Sequence, residues 1–335
     1  CNENPADSRP RIIRPPQDMI WTADTIKGIG TATQLLPENL LVFSANDAWL
    51  VCWSDIARGL LWHFDGETWH ESNIAQDVGG MRVSDIAGYS SSDLWTCGYS
   101  GDEIFLAHFD GRNWTKYNTS GIKGELLDMC KDKDGNIWAC GRNGLIMKFD
   151  KSKWVKDEIY LTKPKDVSYF VKSIENYNDE IFTLVSSFNK ISLEEKYYYA
   201  RGNLGKWTLA DSMIITTSDD RKWGYRNLNN SSNNFLSCGL GGIWKYQENN
   251  WNKIKNFSGA INNVFTANEN HLIAVGDFQK AFFCDGTSWF SISSILNGSD
   301  PYFVYKNAWT SGYEAMIVGY GIFGNKEKLV VWRGK

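Results

Sequence analysis

Few residue patterns in this chain could carry chemistry, and each of them belongs to a turn or a strand. The phrase "DKDGN" at 132–136 has the opening spacing of a calcium loop, but no later carboxylate completes a helix-loop-helix site. The four histidines form no cluster, since His63 and His108 each precede a Phe-Asp pair while His70 and His271 stand alone. The sequence therefore predicts a hairpin turn at 132–136 and no metal site.

Catalytic phrases are equally scarce. The chain has no Gly-x-Ser-x-Gly elbow, no phosphate loop and no Cys/His pair with an orienting group. A hydrolase or lyase could still draw two carboxylates from distant segments, but most acidic residues here fall in turns, where they have a structural task. We predict a protein that is not an enzyme and needs no cofactor, with a hydrolase or lyase as the least favoured alternative.

Composition limits the fold class and the partners. The 335 residues are 42% hydrophobic, with 16 Trp and 30 Gly, which is enough for a large core and typical of strands and turns. The net charge is -4 and the Lys and Arg residues are scattered singly, so nucleic acid is not expected as a partner. No apolar run reaches the roughly 18 residues that a membrane span needs. These features predict a large all-β protein.

An internal repeat organises the chain. Each unit has an apolar strand that ends in Cys-Gly or Val-Gly, a Gly-containing turn, an apolar strand that ends near Asp-Gly, and then a Trp; "SDLWTCGYSGDEIFLAHFDGRNWTKY" shows the whole frame. A further apolar run precedes each unit, which makes four strands. Six tryptophans begin the fourth strands, 38 to 53 positions apart: Trp69, Trp114, Trp154, Trp207, Trp251 and Trp289. This period is typical of propeller blades.

Turn residues of two kinds fit this frame. The Asp-Gly pairs at 65–66, 110–111 and 285–286 suit tight hairpins between third and fourth strands, where positive φ and a short acceptor side chain are needed. A second set of glycines is expected to close the second strand and let the chain reverse. These are Gly98, Gly141, Gly239, Gly276 and Gly319.

The two chain ends complete the repeat. The last unit, "YEAMIVGYGIFGNKEKLVVWRGK", stops before a fourth strand, whereas "IWTADTIKG" around Trp21 has the Trp-Thr start and Ile-Lys-Gly finish of "NWTKYNTSGIKG" around Trp114. The N-terminal strand is therefore expected to be the missing fourth strand, which closes the ring. We predict one domain over 18–335, a seven-bladed β-propeller with four antiparallel strands per blade.

The third unit carries a family resemblance. "DKDGNIWACGRNGLIMKFD" has an Asp-x-x-Gly-x-Ile-Trp phrase, a Gly-rich turn and an aromatic-Asp end. It resembles the repeat of the two-component-regulator propeller family of bacterial surfaces and periplasms. The resemblance covers this one blade well and the others loosely, and it implies the fold rather than a function.

The first 17 residues differ from the rest. They begin with Cys1 and contain four of the seven prolines in a polar run. An N-terminal cysteine of this kind resembles the mature end of a bacterial lipoprotein, which implies a lipid on Cys1 and a flexible tether over 1–17. Asn2 resembles the signal for sorting to the outer membrane, with the periplasmic or surface face left open. The alternative is a boundary that falls on a cysteine by chance.

The other six cysteines follow the repeat. Cys97, Cys140 and Cys238 occupy one position of the second strand, where Val275 and Val318 stand in other units. Such a position needs a small apolar side chain, and equivalent positions in neighbouring blades are too far apart for a disulfide. We predict free, buried cysteines.

Most of the tryptophans are framework residues that pack blade on blade. Trp53, Trp223 and Trp309 break the pattern and lie in segments that the sequence predicts to be irregular. They could form a surface site for a glycan, because flat aromatic faces stack on sugars, or they could cover the edges of degenerate blades. Both readings stay open.

Binding is expected on the face formed by the loops between second and third strands and between blades, because these loops vary while the strands do not. Candidate residues there are Tyr99, Arg142, Asp277, Phe278 and Tyr320, together with Trp53, Trp223 and Trp309. The sequence favours a non-enzymatic, lipid-anchored scaffold for other envelope proteins, within a complex of the bacterial outer membrane. A surface glycan-binding lipoprotein is the alternative.

Overall fold

Antiparallel sheets make up almost all of the computed structural model. It describes residues 13–27, 32, 34–55, 60–159, 166–215, 221–232, 234–268, 270–296, 302–323 and 326–335. A 3₁₀ helix at Pro16–Asp18 and an α-helix α1 at Ile74–Val78 are the helices of the described part. The chain is therefore an all-β propeller, as predicted.

The first half of the chain forms three four-stranded sheets and begins a fourth. Strand β1 (Trp21–Ile26) precedes a sheet of β2 (Leu35–Ser44), β3 (Asp47–Ser54), β4 (Leu60–Phe64) and β5 (Trp69–Glu71). The second sheet has β6 (Arg82–Ser90), β7 (Asp93–Ser100), β8 (Glu103–Phe109) and β9 (Trp114–Lys116). The third has β10 (Leu126–Lys131), β11 (Ile137–Gly141), β12 (Leu145–Phe149) and β13 (Trp154–Glu158), and the fourth has β14 (Val167–Tyr177), β15 (Glu180–Asn189), β16 (Glu195–Asn203) and β17 (Lys206–Ile214).

The second half contains two longer strands. A six-stranded sheet has β18 (Asn227–Ser231), β19 (Asn234–Gln247), β20 (Asn250–Thr266), β21 (Leu272–Gly276), β22 (Ala281–Cys284) and β23 (Trp289–Ser291). The last sheet has β24 (Val304–Thr310), β25 (Ala315–Phe323) and β26 (Lys326–Gly334), and β1 is its fourth strand.

The N-terminal strand closes the last sheet, as the sequence predicts. β1 pairs antiparallel with β26 from Trp21 opposite Gly334 to Ile26 opposite Leu329. Asp24 accepts two hydrogen bonds from the Arg333 guanidinium, at 2.6 and 3.1 Å. Both ends of the chain are thus held in one sheet.

The number of sheets differs from the predicted number of blades. The described strands form six sheets rather than seven, because predicted blades five and six share the six-stranded sheet. β20 continues without a break from the Trp251 strand into the strand that pairs with β21. The sequence does not show this continuity, since 258–259 is a Ser-Gly pair, which is typical of a turn, and Gly259 has φ of +109°.

The fourth strands and their turns match the repeat. Trp69, Trp114, Trp154 and Trp289 each begin a strand, and Trp207 and Trp251 are second residues. In the Asp-Gly turns, Asp65, Asp110 and Asp285 accept backbone N–H groups two and three positions ahead, and the glycines that follow have φ from +91° to +100°. The predicted reason for these residues is confirmed.

The glycines that end the second strands have a different reason from the expected one. Gly98 and Gly141 are not among the positive-φ residues of the described chain. A Cβ on Gly98 would lie 1.9 Å from the Arg82 carbonyl oxygen, and one on Gly141 would lie 1.8 Å from that of Glu125. Only glycine fits because the first strand passes too close, so a chain reversal is the wrong reason for these two residues. Gly141 does end β11, as expected, whereas Gly98 lies two residues before the end of β7.

The core lies between neighbouring sheets. Trp49 of the first sheet meets Trp114 of the second at a ring distance of 6.1 Å, and Trp95 meets Trp154 of the third at 5.3 Å. Six cysteines contribute to these layers, and all are free and buried: Cys52, Cys97, Cys130, Cys140, Cys238 and Cys284. The position of Cys97 and its equivalents is apolar, as predicted.

Candidate functional site

Polar side chains from the innermost strands meet at the centre of the molecule. They share one register position, opposite the small apolar residue of the second strand, and in six strands a β-bulge precedes them. We call this set the axial ring: Asn39, Asp85, Asp128, Ser173, Asn227, Asn263 and Asn307.

Among the described residues, hydrogen bonds of the axial ring join six of the seven pairs of neighbouring repeats; the exception is the pair of Asn227 and Asn263, where the Asn227 Oδ1 has no partner. Asn307 donates to the Asn39 side-chain oxygen at 3.1 Å, and Asn39 donates to Asp85. Elsewhere the ring side chain accepts a backbone N–H of the next repeat, which satisfies a donor that would otherwise be buried without a partner. These bonds are Met129 to Asp85 (2.6 Å), Ile174 to Asp128 (2.8 Å), Leu228 to Ser173 (3.1 Å) and Ala308 to Asn263 (3.3 Å).

Two carboxyls of the axial ring interact directly. Asp85 is 2% exposed, and its side chain is hydrogen-bonded to that of Asp128. Burial raises the pKa of Asp85 well above its ordinary value, and the neighbouring Asp128 carboxylate raises it further. The pKa of Asp128 is also raised by burial. The pair therefore shares a proton at pH values where free carboxyls have lost theirs.

The bulges form one mouth of the central channel. Each extra residue of a bulge lines a cavity of about 610 Å³ at the end where the first strands begin. β16 adds Glu195 and Tyr197, and the bend before β18 adds Tyr225. The bulge residues are Glu38, Ser84, Leu127, Lys172, Asn262 and Lys306, with Arg226 at the equivalent place in β18's repeat.

Charges of both signs surround this mouth. Lys172 lies 3.3 Å from Glu195, and Arg226 lies 3.2 Å from Asp277. Lys306 lines the cavity without an ion pair to any residue that the structure describes. The mouth therefore offers paired charges at its edge and one ammonium group that is free to meet an anionic or carbonyl oxygen.

The predicted loop residues lie on hairpins between second and third strands. Asp277 reaches the mouth, since it accepts hydrogen bonds from Arg226 and from Asn262 at 2.8 Å. Arg142 donates to Glu125 at 2.6 Å and lies over the Phe170 ring, and Phe278 is 62% exposed. Tyr99 is the penultimate residue of β7 and Tyr320 lies within β25, both half-buried, so the expectation of a loop position was wrong for these two. A binding role for these residues stays a prediction.

The three exceptional tryptophans do not form a surface platform. Trp223 is 1% exposed and packs 5.1 Å from the Tyr199 ring. Trp309 belongs to β24 and packs against Ala48, Phe64 and Met316, and Trp53 belongs to β3, with the Arg82 guanidinium over its ring. The expectation of irregular segments was wrong for Trp53 and Trp309, and that of a surface position was wrong for Trp223.

The acidic pair on the axis bears on the hydrolase alternative. Asp85 and Asp128 are close enough for such chemistry, but both accept main-chain N–H groups and Asp85 is almost inaccessible. Their observed contacts are structural.

Within the described ranges, no three His, Cys, Asp or Glu side chains converge as a metal site would require. Nor does any helix of those ranges have the length and apolarity to cross a membrane.

Sequence comparison gives a partial relative. No known family profile matches the chain. A stretch of 109 residues is 34% identical to the photosystem II assembly lipoprotein Ycf48 of Prochlorococcus marinus, which covers 31% of this chain and 32% of that protein. The match thus spans about a third of the curated relative, and its name gives no support to an outer-membrane location. The likeness of the third unit to two-component-regulator repeats stays a resemblance.

Structural comparison supports the fold. A structure titled as Ycf48 bound to D1 peptide has a TM-score of 0.62 at 13% identity, over 98% of this chain and 97% of that one. Ycf48 from Cyanidioschyzon merolae gives 0.57 at 14% identity, over 93% and 98%. At these identities the likeness establishes a propeller of similar size.

Proposed function

We propose that this chain is a non-enzymatic propeller that binds a peptide segment of another membrane-associated protein and assists assembly of its complex. The observation that carries the proposal is the channel mouth of about 610 Å³, which bulge residues from separate sheets line together. The partial match to an assembly lipoprotein favours the same role. The partner's identity is left to experiment.

We infer further that the ring has seven blades. Residues 234–238 of β19 pair with β18, whereas residues 240–247 pair with β20, and Gly241 and Gly242, near the start of the second stretch, have φ of +93° and +145°. β19 thus corresponds to two strands joined by a turn. β20 is divided in a similar way, since one half pairs with β19 and the other half pairs with β21. Seven positions in the axial ring support the same number.

A peptide suits the mouth for a chemical reason. Extended backbone presents both N–H and carbonyl groups. The mouth presents the Lys306 ammonium as a donor, and the carboxylates of Glu38 and Glu195 keep acceptor capacity beside their ion pairs with Arg82 and Lys172. Tyr197 and Tyr225, whose rings are 4.4 Å apart, add a flat wall for an apolar side chain. A neutral or mildly acidic segment would meet the unpaired ammonium of Lys306.

Affinity capture from membranes tests the proposed function. The tagged protein is expected to recover a stoichiometric membrane protein, and Lys306→Glu is expected to reduce that recovery at least fivefold through charge reversal at the mouth (about 1 kcal/mol or more). Lys151→Glu is the matched control, because Lys151 lies in the turn between β12 and β13 at the opposite end of the strands. Recovery of the protein alone, or equal loss with the control, would contradict the proposal.

Anchoring by a lipid on Cys1 is a separate proposal, and Cys1 lies outside the described residues. Its support is the lipoprotein name of the partial relative and the polar run that follows Cys1 in the sequence. Arg14, which precedes the predicted end of the tether, contacts the propeller, since its backbone N–H donates to the Gly312 carbonyl at 2.8 Å. The division between tether and propeller near residue 17 stays a prediction. Mass spectrometry of the N-terminal peptide from native membranes would detect the acyl chains.

A further inference from the structure

A cavity of about 490 Å³ lies at the outer rim between the fourth sheet and β19–β20, away from the channel mouth. The fourth sheet contributes Tyr199 and Asp211, and the neighbouring repeat contributes Trp244, Trp251 and Lys253. The connection between them adds Arg221, Lys222 and Trp223. None of these residues takes part in the axial ring.

Two indole N–H groups at this cavity have no acceptor. Trp223 is 1% exposed, and neither its Nε1 nor that of Trp251 has a hydrogen-bond partner. A buried donor without an acceptor is unfavourable, so such groups need an explanation. A ligand at the cavity can bring the acceptors if the indole rings shift to uncover the two nitrogens, which are buried as they stand.

Comparison with the other repeats shows that Trp251 lacks a hydrogen-bond acceptor for its indole N–H. In three other repeats the fourth-strand indole donates to a side chain three positions after the preceding repeat's Trp. For Trp251 that position is Ala210, which has no acceptor. The three repeats that have such a bond pair Trp69 with Asp24 (3.2 Å), Trp114 with Ser72 (2.8 Å) and Trp207 with Asp157 (2.8 Å).

The charges around the cavity also favour an acceptor-rich anion. Asp211 is already engaged, since Lys222 donates to both of its oxygens at 2.9 Å. The Lys253 ammonium lies 4.8 Å from the centre of the Trp244 ring and has no ion pair with a described residue. Donors therefore outnumber free acceptors at this place.

We propose that this cavity binds a carboxylate-bearing saccharide, a chain of uronic-acid residues. The half-buried Trp251 offers part of a flat ring for a sugar face, the indole N–H groups meet its oxygens, and Lys253 meets the carboxylate. A second hollow of about 410 Å³ shares Arg221 and Lys253 with the first, which gives room for a neighbouring sugar. This site is independent of the peptide site at the channel mouth.

Calorimetric titration of the full chain with tetragalacturonate tests the proposal. We expect heat of binding for this saccharide, none for neutral maltotetraose, and much weaker or no binding for tetraglutamate, which has the carboxylates without the sugar rings. Absence of tetragalacturonate binding would overturn the proposal. Equal affinity for tetraglutamate would overturn it too, because the site would then recognise acidic peptides.

Matched variants locate the binding. Trp251→Phe removes one N–H and is expected to weaken binding about fivefold, the effect of one hydrogen bond. Trp154→Phe is its control, because Trp154 is the equivalent residue of another repeat and its Nε1 also has no hydrogen-bond partner. Lys253→Met is expected to weaken binding tenfold or more, with Lys116→Met, two positions after Trp114, as control. Equal losses in the controls would place the binding elsewhere and overturn the proposal.

Discussion

The buried carboxyl of Asp85 makes the stability of the ring depend on pH. Its pKa is raised above that of the unfolded chain by burial and by Asp128, so the folded state holds a proton that the unfolded state releases. That contribution is complete below the unfolded pKa of about 4 and is lost as the pH rises toward the folded pKa.

Replacement of Asp85 by Asn tests this dependence. Asn keeps an oxygen for the Met129 N–H and cannot ionise, but its NH₂ group would face the Asn39 and Ile86 donors at either pH. The change in unfolding temperature caused by Asp85→Asn is therefore expected to be more favourable at pH 8 than at pH 4. Thermal unfolding followed by circular dichroism at both pH values measures the difference. Asp110→Asn is the control, because turn N–H groups hold the pKa of Asp110 below its ordinary value, and no relative gain at pH 8 is expected.

The six described cysteines should be inert in the native state. Burial raises the pKa of Cys97, Cys140 and Cys238, so their reactive thiolate forms are scarce. Iodoacetamide at pH 8 is expected to leave these six unmodified in the folded protein and to alkylate all of them in guanidinium chloride. Intact-protein mass spectrometry counts the adducts, and a disulfide would show as two sites that stay unmodified after unfolding without reductant.

At the scale of elements, β1 closes the ring through a few strong contacts. Asp24 accepts from Arg333 at 2.6 Å and from the Trp69 indole at 3.2 Å, so it links the last sheet to the first. Asp24→Ala is expected to cost about 2 kcal/mol, since partly buried hydrogen bonds to a charged group are lost. Urea unfolding measures the change. Deletion of 18–26 should cost much more, whereas deletion of 2–12 should leave the unfolding midpoint unchanged.

The strand order was predictable because each fourth strand begins near a Trp at a regular spacing. The match between the Trp21 and Trp114 phrases was enough to place β1 beside β26. The environment of Trp223 was not predictable, since its burial depends on Tyr199 of the neighbouring sheet and the repeat has no phrase for that connection.

The axial ring was not predicted from the sequence, although a signal for it exists. A polar residue stands 11 or 12 positions before each Cys, Val or Leu of the second strand, as Asp85 does before Cys97 and Asp128 before Cys140. What the sequence does not reveal is the bulge, which turns Ser84 and Leu127 toward the mouth. Bulges depend on the pairing of two strands and on the close approach of Gly98 and Gly141, not on one local pattern.

For the whole molecule, closure of the ring by β1 means that the chain could begin and end at other positions without loss of the fold. Ile20 and Lys335 exchange two backbone hydrogen bonds, at 2.8 and 3.1 Å. A circular permutant that joins them by a short Gly-Ser linker and opens between Ser120 and Gly121 should unfold in one transition, near the native midpoint. A permutant opened inside β11, between Trp138 and Ala139, should be much less stable. Urea titrations of both variants measure this, and equal stability would contradict the role given to β11.

The pairing of β1 with β26 also governs the time course of folding. Asp24 and Arg333 are 309 positions apart, so a chain that is made from its N-terminus presents the first strand long before its partner. At roughly 5–20 residues per second this delay is roughly 15–60 seconds. During the delay the strand is an open edge that another copy could capture. When many copies are synthesised close together, we therefore expect dimers in which β1 of one copy pairs with β26 of another.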